Sequence, residues 1–558
     1  MCDKFVKSGC IEKFKRLSVP ERIFTLVMAV LNFYLLYVVI GYYVRVIGQT
    51  YTYHIPIEYR DGSVLSVARA FCDFKNPYSL TYNSTLNTPL IYQYSFIIPL
   101  MIAGIHLVTG IDLITCSVVL NFITVVSTTI ILVAALSKSL HKKLYWLTPT
   151  ILIYVIRGYS VFYNHNAGLT VRGESIGILF TAIVILLFIT RSENTTLISI
   201  FSVLLFYTKP TFVIVAFPIF IFYLVENRKN ALKYFLKCML MGIISLILVR
   251  LIFPMFFTES IYYLLGATLN RGDFSVAINI YSYLISSNHF TVNLGVISSI
   301  IFFIDAGVGL SRKGFKLYWK DRKYAVFAFV FFVVGMLMLD FGKMSCVMGD
   351  GYKYVNSQIF IPLLFMGIYS VNMIIEFMPL IMKKTSGNVL NIVKLVFVGV
   401  LVVRMSFCGF KSYSWNVISD EDVSEWEELY QLCSEYDLGR IYLDPLACTY
   451  LFSEDIDFER CNYDGGHTEY CKLSADVVGD SIRKYIFNES CEIDELIARK
   501  DLSIVDRVAE GYFDLIIITE NTETPNFKDI EKNYVKMDEI HLESYLNGFN
   551  FYIYERRD

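Results

Sequence analysis

Three short segments carry residue types that could do chemistry. The first is Glu58-Tyr59-Arg60-Asp61-Gly62, just beyond the first long apolar run and ahead of a helical stretch from Ser63 to Phe74. A carboxylate at the membrane surface can take the proton from a hydroxyl that attacks a substrate arriving within lipid. Desolvation in a cleft raises the pKa of such a group and suits it to the task. Asp61 also stands where an aspartate simply caps the following helix by accepting its free N–H groups. The second segment runs from Tyr163 through His165 to Val171-Arg172-Gly173-Glu174. Polar side chains beside apolar spans invite a functional reading. Arg172 offers a forked set of donors that grips phosphate. Glu174 is a candidate metal ligand, ion-pair partner of Arg172 or helix cap. The third segment is Thr208-Lys209-Pro210 at the tip of an apolar hairpin, where a lysine also commonly snorkels to the interface. Lys353 with Asp350, Arg271 with Asp273, and His289 lie on later loops, where a solvated charge is the plainer reading.

These segments are held between apolar runs. Of 558 residues, 55% are hydrophobic and only 18% charged, a balance that places the chain among integral membrane proteins. The net charge of −2 and the lack of a basic domain give no reason to expect a nucleic-acid partner. Runs long enough for helical spans lie near 23–47, 90–109, 113–137, 144–160, 175–190, 196–208, 211–225, 238–257, 291–310, 324–341, 358–378 and 390–407. The first is too long for a signal-peptide core and has no small-residue cleavage site after it.

Lysine and arginine in short connections mark the cytoplasmic side. The tail 1–22 carries Lys4, Lys7, Lys13, Lys15 and Arg16, and later clusters lie at Lys138–Lys143, Arg228–Lys237, Arg312–Lys323 and Lys383/Lys384. Counting 90–109 as a crossing puts Lys138–Lys143 outside and inverts every later cluster. Reading it as re-entrant or interfacial, in keeping with Pro89, Pro99, Gly104 and His106, puts them all inside. The expectation is an α-helical membrane module over 23–407 with about eleven crossings. The N-terminus is in the cytoplasm, and outer loops lie at 48–112, 161–174, 258–290 and 342–357. Thr208-Lys209-Pro210 turns at the same face, since proline ends the preceding helix. Every candidate residue named above then shares one side of the membrane, as a single site requires.

Residues 408–558 read as an extracytoplasmic α/β domain. Asp422–Tyr436 has a helical pattern; Arg440–Leu443, Phe513–Thr519 and Phe549–Tyr554 have strand patterns. Cys433, Cys448, Cys461, Cys471 and Cys491 fall in this region, and an oxidising compartment would permit a disulfide, Cys461–Cys471 first. Buried free thiols are the alternative. No phosphate-binding loop, dinucleotide fingerprint or HExxH zinc-protease motif occurs. No cofactor is expected, and a divalent metal is not indicated.

The layout resembles the GT-C superfamily of membrane glycosyltransferases, the protein O-mannosyltransferase and aminoarabinose transferase type in particular, in its bacterial cell-envelope branch. The resemblance covers roughly residues 20–410. It rests on Arg60-Asp61-Gly62-Ser63 through Ala68-Arg69-Ala70, Asn76-Pro77-Tyr78, Leu90-Ile91-Tyr92-Gln93-Tyr94, Val171-Arg172-Gly173-Glu174 and Thr208-Lys209-Pro210. It implies transfer of a sugar, with inversion, from a polyprenyl-phosphate donor to a glycan, lipid or protein acceptor on the outer face. Asp61 would be the base, and Arg172, Lys209 and Lys353 would hold the donor phosphate. Glu58, Glu174, His165 and Tyr92 are secondary candidates. The first motif has one acid where several members have an Asp-Glu pair, and the second has Arg-Gly-Glu where oligosaccharyltransferases place two carboxylates. The latter puts a bound metal in doubt and favours a monosaccharide phosphate over an oligosaccharide pyrophosphate. The C-terminal region resembles the outer domains of bacterial members more loosely, at Gly511-Tyr512-Phe513-Asp514-Leu515-Ile516-Ile517 and Tyr552-Ile553-Tyr554-Glu555-Arg556. A polysaccharide polymerase or ligase would share this layout. A flippase of lipid-linked glycans would call for more charge through the membrane depth than the spans offer, and nothing in the spans favours a receptor.

Overall fold

The computed structural model of the chain describes residues 17–57, 61–90, 92, 95–160, 171, 173–263, 290–341, 351–382, 386–410, 418–443, 462–463, 483, 486–487, 489–519, 530–542 and 549–557. It is a helical protein with a small C-terminal sheet. The helices are α1 (Val19–Tyr53), α2 (Asp61–Cys72), α3 (Leu80–Thr85), α4 (Ile97–Thr109), α5 (Leu113–Ser139), α6 (Thr148–Ser160), α7 (Gly173–Thr190), α8 (Thr195–Thr208), α9 (Ala216–Glu226), α10 (Arg228–Ile252), α11 (Phe290–Phe341), α12 (Gly351–Ile381), α13 (Gly387–Phe410), α14 (Asp420–Ser434) and α15 (Ser490–Ala509). The longer ones are apolar on every side rather than along one stripe, the pattern of a helix with no water-facing side. Among the described residues, six stretches are long and apolar enough to cross a membrane: Val19–Tyr53, Leu113–Leu140, Gly173–Thr190, Arg228–Ile252, Leu294–Gly335 and Phe360–Pro379. Helix α4 has 13 residues. At about 1.5 Å per residue it falls short of a hydrocarbon core of roughly 30 Å.

Helix α11 is two helices joined at Gly314, whose φ of 71° and ψ of 167° break the helical path. In a straight helix Asp305 and Arg322 would stand about 25 Å apart at ~1.5 Å per residue. Here the Arg322 Nε donates to Asp305 Oδ2 at 3.2 Å, and the Tyr318 hydroxyl donates to the same oxygen at 3.1 Å. The chain therefore folds back as a hairpin. A side chain at Gly309 would strike the Tyr318 ring at 2.4 Å, so glycine sets how closely the two arms approach. This accounts for the separate apolar runs 291–310 and 324–341.

Polar contacts knit one end of the bundle. Lys142 pairs with Asn372; Asn372 donates to Glu376 Oε1 at 2.7 Å; Arg322 pairs with Glu376 at 2.6 Å and Lys323 with Glu226 at 2.9 Å. At the same end Tyr369 bonds Ser139 at 2.8 Å, Lys237 donates to Thr195 at 3.1 Å and pairs with Thr196, and Asn391 donates to Glu21 at 3.2 Å. Helix α10 lies at the periphery, with Phe235, Leu236, Leu240, Ile247 and Leu251 among its exposed residues.

In the C-terminal region five strands form one sheet in the order β2-β1-β3-β5-β4, where β1 is Ile441–Leu443, β2 Asn462–Tyr463, β3 Leu515–Thr519, β4 Tyr534–Leu542 and β5 Phe549–Arg556. β1 pairs in parallel with β2 and β3, and β5 runs antiparallel between β3 and β4. Helix α14 lays its buried Trp426 against Phe551, ring centroids 5.6 Å apart. Arg440 grips Asp514 with both nitrogens of its fork, at 2.6 and 2.7 Å, which joins the entry of β1 to that of β3. The helix and three strands expected from sequence are present; α15, β2 and β4 were not anticipated. Cys433 is buried and Cys491 exposed, whereas Cys448, Cys461 and Cys471 lie outside the described residues.

Candidate functional site

At the end of the bundle opposite the knitted one, the second and third sequence segments meet. Helix α8 runs up to Thr208, and Lys209 leaves it in an extended conformation (φ −161°, ψ 124°) because Pro210 cannot continue the helix. Pro210–Val215 then form a 3₁₀ stretch whose Phe212 N–H returns to the Lys209 carbonyl at 2.9 Å. Helix α7 begins at Gly173 directly beside this turn. A Cβ on Gly173 would lie 2.9 Å from the Thr208 carbonyl oxygen, and one on Gly177 would lie 2.5 Å from the Phe212 ring. Two glycines, one turn apart, thus let α7 rest against the Thr-Lys-Pro turn.

This contact places the Lys209 ammonium on Glu174 Oε1, in an ion pair with side-chain exposures of 6% and 14%. So little exposure excludes a lysine that snorkels to the interface. Taking two charges out of water costs several kcal/mol each, so the pair persists only where its geometry is good and its surroundings polar. Those surroundings are supplied by α5 and α1. The Val171 N–H donates to Ser117 Oγ at 3.2 Å, Ser175 Oγ to Asn121 Oδ1 at 3.3 Å, and Asn121 Nδ2 to the Tyr43 hydroxyl at 3.3 Å. The start of α7 is fastened on both sides of Glu174.

The segment between α2 and α4 packs against the same end. The Asn83 amide is fully buried and organises it: Nδ2 donates to the Pro77 carbonyl at 2.8 Å, and Oδ1 accepts the Leu90 N–H at 2.6 Å. An aromatic cluster carries the packing across to α8 and to the end of α10. Phe96 contacts Tyr207 at 5.9 Å, Phe253 at 4.7 Å and Phe256 at 5.2 Å, and Tyr78 contacts Phe253 at 5.4 Å and Phe256 at 5.8 Å, between ring centroids. Tyr207 is two residues from Lys209.

Beyond α10 the chain turns through Phe253–Phe257 into a π-helical turn, Thr258–Tyr263. Its Glu259 is wholly buried. One oxygen, Oε2, accepts the Tyr92 N–H at 3.2 Å, and the other, Oε1, has no hydrogen-bond partner among the described residues. Burial pushes this carboxyl well above the usual carboxylate range; the Tyr92 hydrogen bond acts the other way but is the smaller influence. Residues of the C-terminal region cover the turn. Phe487 packs on Tyr262 at 5.4 Å, the Arg483 guanidinium sits over the Tyr262 ring at 5.7 Å, and Arg250 pairs with Glu489.

Of the residues singled out from sequence, Lys209 and Glu174 are brought together, and Tyr92 is buried nearby with its backbone on Glu259. Asp61 is the first residue of α2, which leaves its roles as helix cap and as base both open. Lys353 lies in the first turn of α12; neither its side chain nor that of Asp61 is described. Glu58, His165 and Arg172 lie outside the described residues. Among the described residues no three of His, Cys, Asp and Glu converge as a metal site would need. Sequence reasoning passed over Glu259. The available signal was a single carboxylate between Phe256-Phe257 and Tyr262-Tyr263, since an acid inside so aromatic a run has little prospect of water. The chain matches no model of a known protein family, and no curated protein matches it.

Proposed function

We propose that the protein is a membrane glycosyltransferase that moves a sugar from a polyprenyl-phosphate donor to an acceptor on the outer face. The observation that carries this reading is the buried meeting of Glu174 and Lys209, from two separate outer turns, at the end of the bundle where the Asp61 helix begins. An acceptor hydroxyl would attack the anomeric carbon while the bond from that carbon to the phosphate oxygen breaks. The electron pair leaves with the polyprenyl phosphate, and the hydroxyl proton passes to Asp61. Arg172, Lys209 and Lys353 would stabilise the negative charge gathering on the phosphate. For Lys209 this means serving a carboxylate and a phosphate together, with Glu174 fixing the ammonium in place before the donor arrives. A pre-set cation of this kind needs no reorganisation as charge develops.

In this reading the knitted end, with Lys142, Lys237, Arg322 and Lys323, is cytoplasmic. The chain crosses about eleven times, residues 90–109 do not cross, and 408–558 form an outer domain. The clustering of these basic connections at one end supports the arrangement. The decisive experiment measures sugar transfer from a defined polyprenyl-phosphate donor by purified protein, wild type beside Asp61→Asn. Transfer that falls on the order of 10²–10⁴ in the variant, as loss of a general base typically requires, supports the assignment. Equal transfer by the two proteins removes Asp61 as the base, and no transfer by either removes the reading.

A further inference from the structure

The hairpin of α11 encloses a cavity that the reaction just described does not use. Its volume is about 210 Å³, and it is bounded by both arms of the hairpin and by Glu376 and Phe377 of α12. The lining joins charged side chains, among them Asp305, Arg312, Lys313 and Arg322, to the apolar Val308 and Phe377. The carboxylates in it are already served. Arg322 lies between two of them, on Asp305 at 3.2 and 3.3 Å and on Glu376 at 2.6 Å, and the Tyr318 hydroxyl gives the buried Asp305 a further donor at 3.1 Å. A metal ion would have to displace that guanidinium, and among the described residues no three of His, Cys, Asp and Glu converge to hold one.

The remaining cations are less committed. Lys313 pairs with Asp321 at 2.6 Å, but both side chains are half-exposed, and an ion pair in water contributes little and exchanges readily. Arg312 is exposed and, among the described residues, forms no hydrogen bond or ion pair. From Arg312 to Lys323 the tip carries six cations against the single carboxylate of Asp321. It also has the composition of a bilayer surface. Phe315 and Leu317 are exposed beside Lys316 and Lys320, and Trp319 stacks on Phe315 with ring centroids 6.0 Å apart. Aromatic rings mixed with basic residues are characteristic of the headgroup level. On the first arm Phe303 and Ile304 are exposed as well, as lipid-facing side chains would be.

We propose that this cavity is a phosphate site that takes the head of an anionic membrane lipid, with Arg312 and Lys313 as its ligands. The acyl chains stay in the bilayer against the exposed apolar side chains of the hairpin. The guanidinium fork matches two phosphate oxygens, and the Lys313 ammonium turns from Asp321 to the phosphate, leaving Asp321 to water. Basic recesses between membrane helices are where lipid heads of this charge lodge. At about 210 Å³ the cavity is smaller than the roughly 300–1,000 Å³ of sites that enclose a whole drug-sized ligand, so it suits a head and not a complete lipid. The proposal needs only that the hairpin meets a bilayer; it does not rest on the glycosyltransferase reading.

The test is native mass spectrometry of the full-length protein in a nonionic detergent, titrated with palmitoyl-oleoyl phosphatidylglycerol. Wild type should bind it saturably and more tightly than phosphatidylcholine with the same chains. The double variant Arg312→Gln/Lys313→Gln should weaken that binding on the order of tenfold or more. Lys316→Gln/Lys320→Gln removes as much charge from the same hairpin, but neither residue lines the cavity, and it should bind like wild type. All four side chains are exposed, so neither variant threatens the fold. Glycerol phosphate offers the phosphate without chains and should bind far more weakly; binding as tight as that of the lipid overturns a lipid as the source. Unchanged binding in Arg312→Gln/Lys313→Gln, or an equal loss in Lys316→Gln/Lys320→Gln, overturns the site. None of these outcomes touches the transfer assay or the reading it tests.

Discussion

Breaking the Lys209–Glu174 pair from one side should be far more damaging than removing it whole. With exposures of 6% and 14% the two side chains are desolvated together, so Lys209→Met removes the ammonium from a carboxylate that is itself largely out of water. Removing one partner of such a pair costs about 3–5 kcal/mol, and Glu174→Leu should cost a similar amount by taking the Oε1 contact from the ammonium. The double variant strands neither charge and should lie within ~1 kcal/mol of wild type, since apolar replacement of a buried pair is commonly neutral. The coupling between the two changes is therefore on the order of 5 kcal/mol or more in favour of the double variant. Unfolding in mixed micelles, followed by tryptophan fluorescence, supplies the four corners of the cycle. Single-variant losses that simply add in the double variant would refute the claim that the pair is buried and interdependent. The same protein tests the chemistry. A folded double variant that still transfers sugar at the wild-type rate excludes Lys209 from holding the donor phosphate.

Gly173→Ala should destabilise the junction of α7 and α8 by about 1–3 kcal/mol, because the new methyl would meet backbone rather than a side chain able to rotate away; the same unfolding measurement reads it. The membrane orientation is checked by thiol labelling of sealed cells with an impermeant reagent, in a background without native cysteines. Lys411→Cys should label and Lys142→Cys should be protected, and the reverse pattern would invert the assignment. In the C-terminal sheet the Arg440 hydrogen bonds hold the Asp514 carboxyl below the usual carboxylate range. Its contribution is thus present above the ordinary aspartate value and lost as pH falls through the lower folded-state one. Circular dichroism should show acid unfolding of the sheet beginning at higher pH in Asp514→Asn than in wild type, and coincident curves would contradict this.

The helical membrane class was legible because hydropathy over a span-length window depends on nothing but local sequence. The hairpin at Gly314 was legible too, as two apolar runs with a basic connection between them. The Thr208-Lys209-Pro210 turn could be placed from proline alone. Its partner could not, because the approach of Gly173 to Thr208 is a long-range packing fact, and the sequence offered Glu174 only a metal, Arg172 or a helix end as partner. Glu259 escaped for the complementary reason. Its character comes from what surrounds it, and Tyr78, Tyr92 and Tyr262 are far apart along the chain. In the C-terminal region β4 was missed because charged residues such as Lys536, Asp538 and Glu539 interrupt its apolar pattern, as befits an edge strand that must not recruit another.

Helix α10 forms a peripheral wall anchored at two points, Lys237 to Thr195 and Thr196 and Arg250 to Glu489. The uncharged stretch between these anchors, residues 238–249, is only about 18 Å long at ~1.5 Å per residue. A surrounding bilayer has a hydrocarbon thickness of roughly 30 Å. Where α10 crosses a bilayer, lipid beside this wall would thin, or the helix would draw polar headgroups inward, since anchored side chains have little freedom to reach outward. A dimple in the leaflet next to the Tyr78–Phe256 cluster would lower the polar boundary of the membrane toward the end of the bundle where Lys209 and Glu174 meet.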